Sequence, residues 1–167
     1  HALIARVSGE RVREELCRIV AVPAAAERLR LLDDLGLLMT ILPELADTRG
    51  AEQPKEHYWD VLQHSFETVA AVEFLLHIGG SKYFGGDHLA LVPWSSALRE
   101  YFEGEVAGGR SRTVLLKLAA LLHDVAKPQT KMFEESGRMR FFGHAKEGAE
   151  AVSVIMERLR FSARERD

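Results

Sequence analysis

The sequence predicts an all-α protein. Apolar residues recur at spacings of three and four over most of the 167 residues, which is the period of an amphipathic helix. Pro23, Gly36 and Pro43 interrupt this pattern in the first third of the chain, at intervals that suit short helices. Only residues 129–142, where charges alternate with apolar side chains, are typical of a loop or a weak hairpin.

The first third of the chain is expected to form a small helical unit. Three helices are predicted there, at residues 8–20, 24–35 and 37–42. Ser8 suits the N-cap of the first helix, and Gly36 suits the left-handed position that ends the second. A polar connector at residues 47–55 follows. We therefore divide the chain into units at residues 1–50 and 51–167.

A helix with two histidines is predicted after the connector, over residues 56–78. His57 and His64 are seven residues apart, about two helical turns, so both would project from nearly the same face. A histidine on such a face is either a ligand or a side chain whose ring is satisfied by a backbone carbonyl. Spacing alone leaves both interpretations open.

Residues 79–112 are rich in glycine and predict a loop that contains one short helix near residues 95–102. Arg112 stands at the end of this segment, beside Ser111 and just before the next helix. A cation and open amides at a helix start could hold a phosphate. N-capping by Ser111 explains the same residues more simply.

A strongly apolar helix is predicted over residues 113–127, and it ends in polar residues. His123 and Asp124 are adjacent, Lys127 follows, and Pro128 prevents extension, so all three are expected in the last turn. Burying an imidazole or a carboxylate without a partner costs about 1–3 kcal/mol or more. We therefore expect something polar to meet them.

A final helix is predicted over residues 145–159, with His144 at its N-terminus, where the ring can point into a neighbouring pocket. The net charge of −3 argues against a surface that coats nucleic acid generally. Residues 111–167 nevertheless carry 11 basic and 8 acidic side chains. This excess either serves a phosphate-bearing ligand or forms a solvated helix face.

The composition excludes a membrane span and a disulfide framework. No apolar run approaches the roughly 20 residues that cross a bilayer. The single cysteine, Cys17, cannot form an internal disulfide, which is typical of a reducing compartment, and we expect a cytoplasmic protein. Because the chain begins at His1 rather than at Met, we expect a piece of a longer protein.

His64 and the adjacent pair His123 and Asp124 are candidate ligands of one divalent cation. They could converge if their two helices pack at the usual separation of about 8–10 Å. Imidazole and carboxylate together suit Mn, Fe, Co, Ni and Zn, whereas Mg prefers oxygen ligands alone. The sequence leaves the identity of the metal open among these ions.

The order of these ligands resembles the HD-domain superfamily, and HDVAK at residues 123–127 resembles the HD-x-x-K form found among its phosphohydrolases. Nearly the whole chain is also similar to the C-terminal part of bacterial tRNA nucleotidyltransferase and poly(A) polymerase-like proteins. The similarity is carried by SGERVREELCRIV, RLRLLDDLGLLMTILPEL, HYWDVLQHSFETV, LLKLAALLHDVAKP, GRMRFFGHAKEGAEAV and RLRFS. It implies an HD-domain helical bundle over residues 51–167, preceded by a helical RNA-binding or linker region.

The resemblance also implies roles for individual residues. The metal ligands would be His64, His123 and Asp124, with His57 in the layer around them. Catalysis would involve Asp124, Lys127 and His144, and phosphate would meet Lys127, Arg112, Arg138 and Arg140. His144 would extend the site toward a second metal or the substrate, or would protonate the leaving oxygen if it is not itself a ligand. The family pattern closes with a later Asp, and the only later Asp here is the terminal Asp167. We therefore expect the HD unit to be incomplete at its C-terminus.

Two functions follow from the resemblance. One is a metal-dependent phosphohydrolase that acts on phosphomonoesters or cyclic phosphodiesters, at the ends of nucleotides or RNA such as tRNA. The other is a non-catalytic helical scaffold that helps a nucleotidyltransferase to hold tRNA. No Gly-Ser element followed by a D-x-D carboxylate pair occurs, so nucleotide addition is not expected of this chain. The oligomeric state is not predicted.

Overall fold

The computed structural model describes residues 3–54, 58–79 and 86–166, which are mainly helical. The helices of these ranges are α1 Gly9–Ala21, α2 Ala25–Asp34, α3 Leu38–Ile41, α4 Val61–Leu75, α5 Gly86–Leu89, α6 Ser96–Glu103, α7 Arg112–Leu122, α8 His144–Arg158 and α9 Ala163–Arg166. Short 3-10 helices occur at Ile4–Arg6 and Pro43–Thr48. The predicted all-α class is confirmed.

Two small antiparallel hairpins accompany the helices. Their strands are β1 Glu105–Ala107, β2 Arg110–Ser111, β3 Lys131–Phe133 and β4 Met139–Phe141. The second hairpin lies within residues 129–142, where the sequence predicted a loop or weak hairpin, and Gly137 turns it with a φ of 79°. The first hairpin was not predicted, because its strands are too short to show an alternating pattern.

Helices α4 and α7 pack against each other at the centre of one hydrophobic core. Helix α2 packs on α4 and α1 packs on α7, so the first helices cover the central pair. Val20 and Leu29 from the first helices are fully buried, as are Val69 and Leu121 from the central pair. Apolar packing is therefore continuous across residue 50, and the division of the chain there stays a prediction.

Local signals in the sequence account for several helix ends. The carboxylate Oδ1 of Asp60 accepts a hydrogen bond from the backbone N of Gln63 at 2.7 Å, which caps the start of α4. Gly36 follows α2 with a φ of 69°, as predicted. Ser8 occupies the N-cap position of α1, although its side chain makes no capping hydrogen bond there.

The predicted start of the helix at residues 56–78 is wrong. Helix α4 begins at Val61, because the Asp60 side chain caps it and the two residues before Asp60 form a bend. His57 lies outside the described residues. The expectation that His57 and His64 share one helix face therefore stays a prediction.

The predicted end of the helix at residues 113–127 is also wrong. Helix α7 ends at Leu122, and His123 is its C-cap. The chain then tightens into turns in which the backbone N of Val125 donates to the Leu122 carbonyl and that of Lys127 to the Asp124 carbonyl.

None of the helices within the described residues combines the length and the apolar composition that crossing a membrane requires.

Candidate metal centre

The central helix pair positions the candidate ligands. His64 lies in the first turn of α4, and His123 and Asp124 directly follow α7. Helix α8 supports this turn from behind, because a Cβ placed on Gly148 would lie only 3.6 Å from the His123 carbonyl oxygen. Residues far apart in the chain therefore meet where one helix starts and the other ends.

Three nitrogen atoms surround one oxygen atom, the Oδ2 of Asp124. The Nε2 of His123 lies 2.9 Å from it, and the Nε2 of His64 lies 3.5 Å from it. The Nζ of Lys127 is closer still, at 2.7 Å. The two imidazole rings are 5.3 Å apart and inclined at 63°. The structure thus brings the three predicted ligands together beside Lys127.

The Asp124 carboxylate is buried and ionised. Burial by itself would raise the pKa of Asp124, but the interactions with His123 and Lys127 outweigh burial and hold the pKa at about 2. Only 4 % of Asp124 is exposed. A concentrated negative charge therefore lies below the two histidine rings over the whole physiological pH range.

The ring of His123 is oriented by the helix that precedes it. Its Nδ1 lies 2.8 Å from the Ala120 carbonyl oxygen, which can only accept a hydrogen bond. In a neutral ring, this contact leaves the lone pair on Nε2, the atom that faces Asp124. Burial by itself would lower the pKa of His123. The contacts with Asp124 and with the Ala120 carbonyl raise this pKa by more than burial lowers it, so the pKa lies above its ordinary value.

This donor set fits a divalent cation. Among the described residues, His64, His123 and Asp124 each offer one ligand atom, and these atoms lie within 4.8 Å of one another. The buried Oδ2 of Asp124 has no hydrogen bond of good geometry within the described part of the chain, although charged groups crowd it. An ionised oxygen left in this way is what a metal ion satisfies.

A basic cavity of about 550 Å³ opens next to the ligand group. Four of its lining residues are the predicted phosphate and catalytic residues Lys127, Arg138, Arg140 and His144. Lys127 belongs to both places, because its Nζ contacts Asp124 and also lies 5.6 Å from the centre of the Phe141 ring. The cavity and the ligand group are therefore neighbouring parts of one site.

His144 lines the cavity but is not one of the three grouped ligands. Its Nδ1 lies 2.6 Å from the Phe141 carbonyl oxygen, so this nitrogen carries the hydrogen. The Nε2 of the neutral ring then holds a lone pair that can accept a proton. His144 is thus equipped for proton transfer.

Arg112 is not brought to this site. It begins α7, whereas His123 follows the other end, and a rise over eleven residue positions separates their Cα atoms by roughly 16 Å. The guanidinium of Arg112 donates to the Tyr101 carbonyl at 3.1 Å and lies 4.4 Å from the centre of the Tyr101 ring. These contacts hold α6 and α7 together.

Gln53 belongs to the site and was missed by sequence reasoning. Its Oε1 accepts a hydrogen bond from the Nζ of Lys127 at 2.7 Å, and its Nε2 donates to the Trp59 carbonyl at 3.2 Å. A glutamine in a polar connector carries no sequence signal for this role. Only folding places residues 74 positions apart in contact.

Two segments of the chain match protein families, and one of these families is named for the ligand pair His123 and Asp124. Residues 86–166 match the family described as the HD domain. Residues 1–48 match the family described as the probable RNA and SrmB-binding site of polymerase A. The chain thus contains one segment similar to each of these two families.

The chain is also similar to individual tRNA nucleotidyltransferases. The chain is 39% identical over 153 residues to a CC-adding tRNA nucleotidyltransferase of Thermus thermophilus, and 33% identical over 152 residues to an A-adding tRNA nucleotidyltransferase of Deinococcus radiodurans. These matches cover 91% and 90% of this chain, but only 28% and 27% of the relatives. A multifunctional CCA protein of Azoarcus is 26% identical over 151 residues. The predicted resemblance to the HD-domain region of bacterial tRNA nucleotidyltransferase and poly(A) polymerase-like proteins is therefore confirmed.

Proposed function

We propose that the chain is a metal-dependent phosphohydrolase that removes a phosphomonoester or opens a cyclic phosphodiester at the end of an RNA such as tRNA. The carrying observation is the buried Oδ2 of Asp124, which has two imidazole nitrogens within 3.5 Å and a basic cavity beside it. The relatives, named as tRNA nucleotidyltransferases, support tRNA as the substrate.

His64, His123 and Asp124 would hold the metal. A bound divalent metal lowers the pKa of a coordinated water toward neutrality and polarises a phosphoryl oxygen. Mn, Fe, Co, Ni and Zn all suit this mixed donor set, and Mg suits it less well. The Ala120 carbonyl keeps the Nε2 of His123 available, which is the usual way in which an outer contact prepares a histidine ligand.

Lys127 and Arg140 would stabilise charge on the phosphoryl group. The Nζ of Lys127 is held between Asp124 and Gln53, so its position changes little when a ligand enters the cavity. Arg140 lines the cavity and is paired with Glu134 at 3.0 Å. Positive groups fixed in advance stabilise a developing negative charge without reorganisation.

His144 would transfer the proton. Its Nε2 lone pair can accept a proton, and the protonated ring can return one to the leaving oxygen. The Phe141 carbonyl fixes the ring through Nδ1, so only Nε2 is available for this exchange. Arg138 would bind substrate at the rim of the cavity, because it is exposed there.

The experiment compares the protein with His123→Ala on a generic phosphomonoester and on a 2′,3′-cyclic nucleotide, with Mn or Ni supplied after chelation. The protein should hydrolyse at least one of these compounds and His123→Ala should hydrolyse neither. His88→Ala removes a histidine from helix α5 and serves as the matched control. Equal activity in His123→Ala and in the unchanged protein would contradict the proposal.

A non-catalytic scaffold that holds tRNA is the second candidate. It is favoured by the packing of the first two helices directly onto the two helices that carry the ligands. Metal analysis of the protein as purified separates the candidates. A stoichiometric transition metal supports the hydrolase, whereas a trace amount together with RNA binding that survives His123→Ala supports the scaffold.

A further inference from the structure

The β3–β4 hairpin exposes apolar side chains beside the basic cavity. Phe133 is 63% exposed, Phe142 is 62% exposed and Met132 is 48% exposed. Met132 and Phe133 are adjacent in β3 and therefore point to opposite faces of the hairpin, and Phe142 is the one of these three side chains that lines the cavity. An exposed aromatic ring at the edge of a cavity is a candidate contact for a ligand. The hairpin therefore has the character of a binding surface.

The same hairpin carries basic side chains. Arg138 and Arg140 line the cavity, and Lys131 lies with its Nζ 5.7 Å from the centre of the Phe133 ring. Lys131 and Arg140 each have an acidic neighbour, Glu52 at 3.3 Å and Glu134 at 3.0 Å. The described residues show no ion pair for the guanidinium of Arg138, which is exposed. Arg138 is thus the basic group best placed to meet an external anion.

Phe142 connects this surface to the candidate metal centre. Its ring lines the cavity together with Lys127, the residue that contacts Asp124. A ligand whose phosphate lies at the metal would therefore have its neighbouring group against Phe142. Alternating aromatic and cationic groups are what proteins use to bind a single nucleic-acid strand, by stacking bases and by contacting phosphates.

We propose that the β3–β4 hairpin binds the single-stranded end of an RNA, with a base stacked on Phe142 and a backbone phosphate on Arg138. This inference rests on the proposed function, because the hairpin would bind the RNA strand that continues from the reacting phosphate. An exposed ring needs an unstacked base, which a duplex does not offer. The exposed cations favour an anionic occupant over a neutral or basic protein segment, and the exposed ring of Phe142 favours an unstacked base over an acidic side chain.

The test measures binding of a fluorescently labelled single-stranded RNA of twelve nucleotides by anisotropy, in EDTA so that the metal site takes no part. Phe142→Leu should weaken binding by about 5- to 150-fold, because stacking on one base is worth about 1–3 kcal/mol. Phe142→Tyr keeps an aromatic face and should bind within a few-fold of the unchanged protein. Both substitutions are at an exposed side chain, so folding is retained.

Two further measurements sharpen the test. Arg138→Gln should reduce the slope of log affinity against log salt by about 0.7, the value for one phosphate contact on a single strand. Tyr101→Leu removes another exposed aromatic ring, near the opposite end of α7, and is the matched control that should leave RNA binding unchanged. A blunt-ended RNA duplex of the same sequence should bind more weakly than the single strand. Equal affinities for the two would overturn the inference.

The outcomes separate this inference from the proposed function. If Phe142→Leu binds RNA as tightly as Phe142→Tyr while the unchanged protein hydrolyses phosphate esters, the hairpin inference is wrong and the hydrolase stands. If the ring dependence is observed but no metal supports hydrolysis, the hydrolase is wrong and the hairpin is the RNA contact of a scaffold.

Discussion

Helices α4 and α7 meet at two polar contacts of opposite character. Nine residues along α4 from His64, Glu73 pairs with Lys117 of α7 at 2.7 Å, and both side chains are buried. At the other contact, the side chains of His64 and His123 are 25% and 36% exposed. The same helix pair thus carries one closed contact and one open contact.

The closed contact is saturated. Lys117 donates to Glu73 and to the carbonyl oxygens of Val20 and Val22, at 2.9 Å and 3.3 Å, which matches the three donors of an ammonium group. Glu73 also accepts from the backbone N of Ala25. The cation meets the end of α1 and the anion meets the start of α2, as the helix dipoles favour.

The open contact is not saturated. The Oδ2 of Asp124 is buried yet has no well-formed hydrogen bond within the described residues. A fully satisfied buried pair can only hold the fold together, whereas an unsatisfied one in reach of solvent can take a ligand. The difference assigns Glu73 and Lys117 to the support of the fold and leaves Asp124 as the candidate ligand.

Breaking the closed contact should have the largest effect. Lys117→Met should lower the free energy of unfolding by about 3–5 kcal/mol, because the Glu73 carboxylate is left buried and unpaired. Urea denaturation followed by circular dichroism measures the change. Adding Glu73→Gln to Lys117→Met should recover part of the loss. A decrease below about 1 kcal/mol would contradict this prediction, because exposed surface ion pairs contribute that little.

Breaking the open contact should abolish the stabilisation by metal. The unchanged protein should gain about 2.7 kcal/mol of stability when Mn or Ni is present at a hundred times its dissociation constant. Asp124→Asn should lose this gain, and its metal-free stability at neutral pH should fall, because His123 and Lys127 lose the carboxylate charge that they contact. Thermal denaturation with and without metal measures both quantities. A metal-induced shift that survives in Asp124→Asn would contradict the ligand assignment.

The residue that supports the open contact should have a smaller effect. Gln53→Ala removes the hydrogen bond that holds the Nζ of Lys127 near Asp124. Outer contacts of metal ligands are typically worth about 10- to 100-fold in affinity or activity. Isothermal titration with Mn compares Gln53→Ala with Gln63→Ala, which alters a glutamine on the nearby start of α4. Equal metal affinities in the two variants would remove Gln53 from the site.

The last expected effect concerns the pH dependence of stability, at a second saturated carboxylate, Glu165. Burial raises the pKa of Glu165, but hydrogen bonds from Arg110 and Ser162 outweigh it, so the pKa lies below its ordinary value of 4.5. Its contribution to stability is therefore complete above that ordinary pKa and is lost as the pH falls through the lower folded value. The free energy of unfolding should fall on acidification, and Glu165→Gln should flatten the decrease. Parallel pH profiles for the two proteins would contradict this role.

Much of the fold could be predicted because its signals are local. The helical period identified α1 and α2, Gly36 ended α2 as expected, and the segment near residues 95–102 contains α6. The helix after Gly143 was also predicted, and the hairpin of residues 129–142 is one of the two structures expected there. These features depend on side chains within a few positions of one another.

For the candidate site, the sequence could predict only which residue types would take part. The adjacent pair His123 and Asp124 stood out because polar residues end an apolar segment, and His64 was added as a helix-borne histidine. Gln53 could not be predicted, since nothing near it in the chain distinguishes it. The boundaries of α4 and α7 were predicted too long because a cap at Asp60 and a tight turn after Leu122 override helical propensity.

By itself, the sequence determined the helical class of this protein, the first polar residues of its candidate site and the family that it resembles. Only the tertiary structure decided that Lys117 is a buried structural cation while Lys127 faces a cavity. Both are lysines close to one apolar helix, and their neighbours in the chain do not distinguish them. The difference comes from the groups that packing brings to each ammonium, which are the end of α1 for one and an unsatisfied carboxylate for the other.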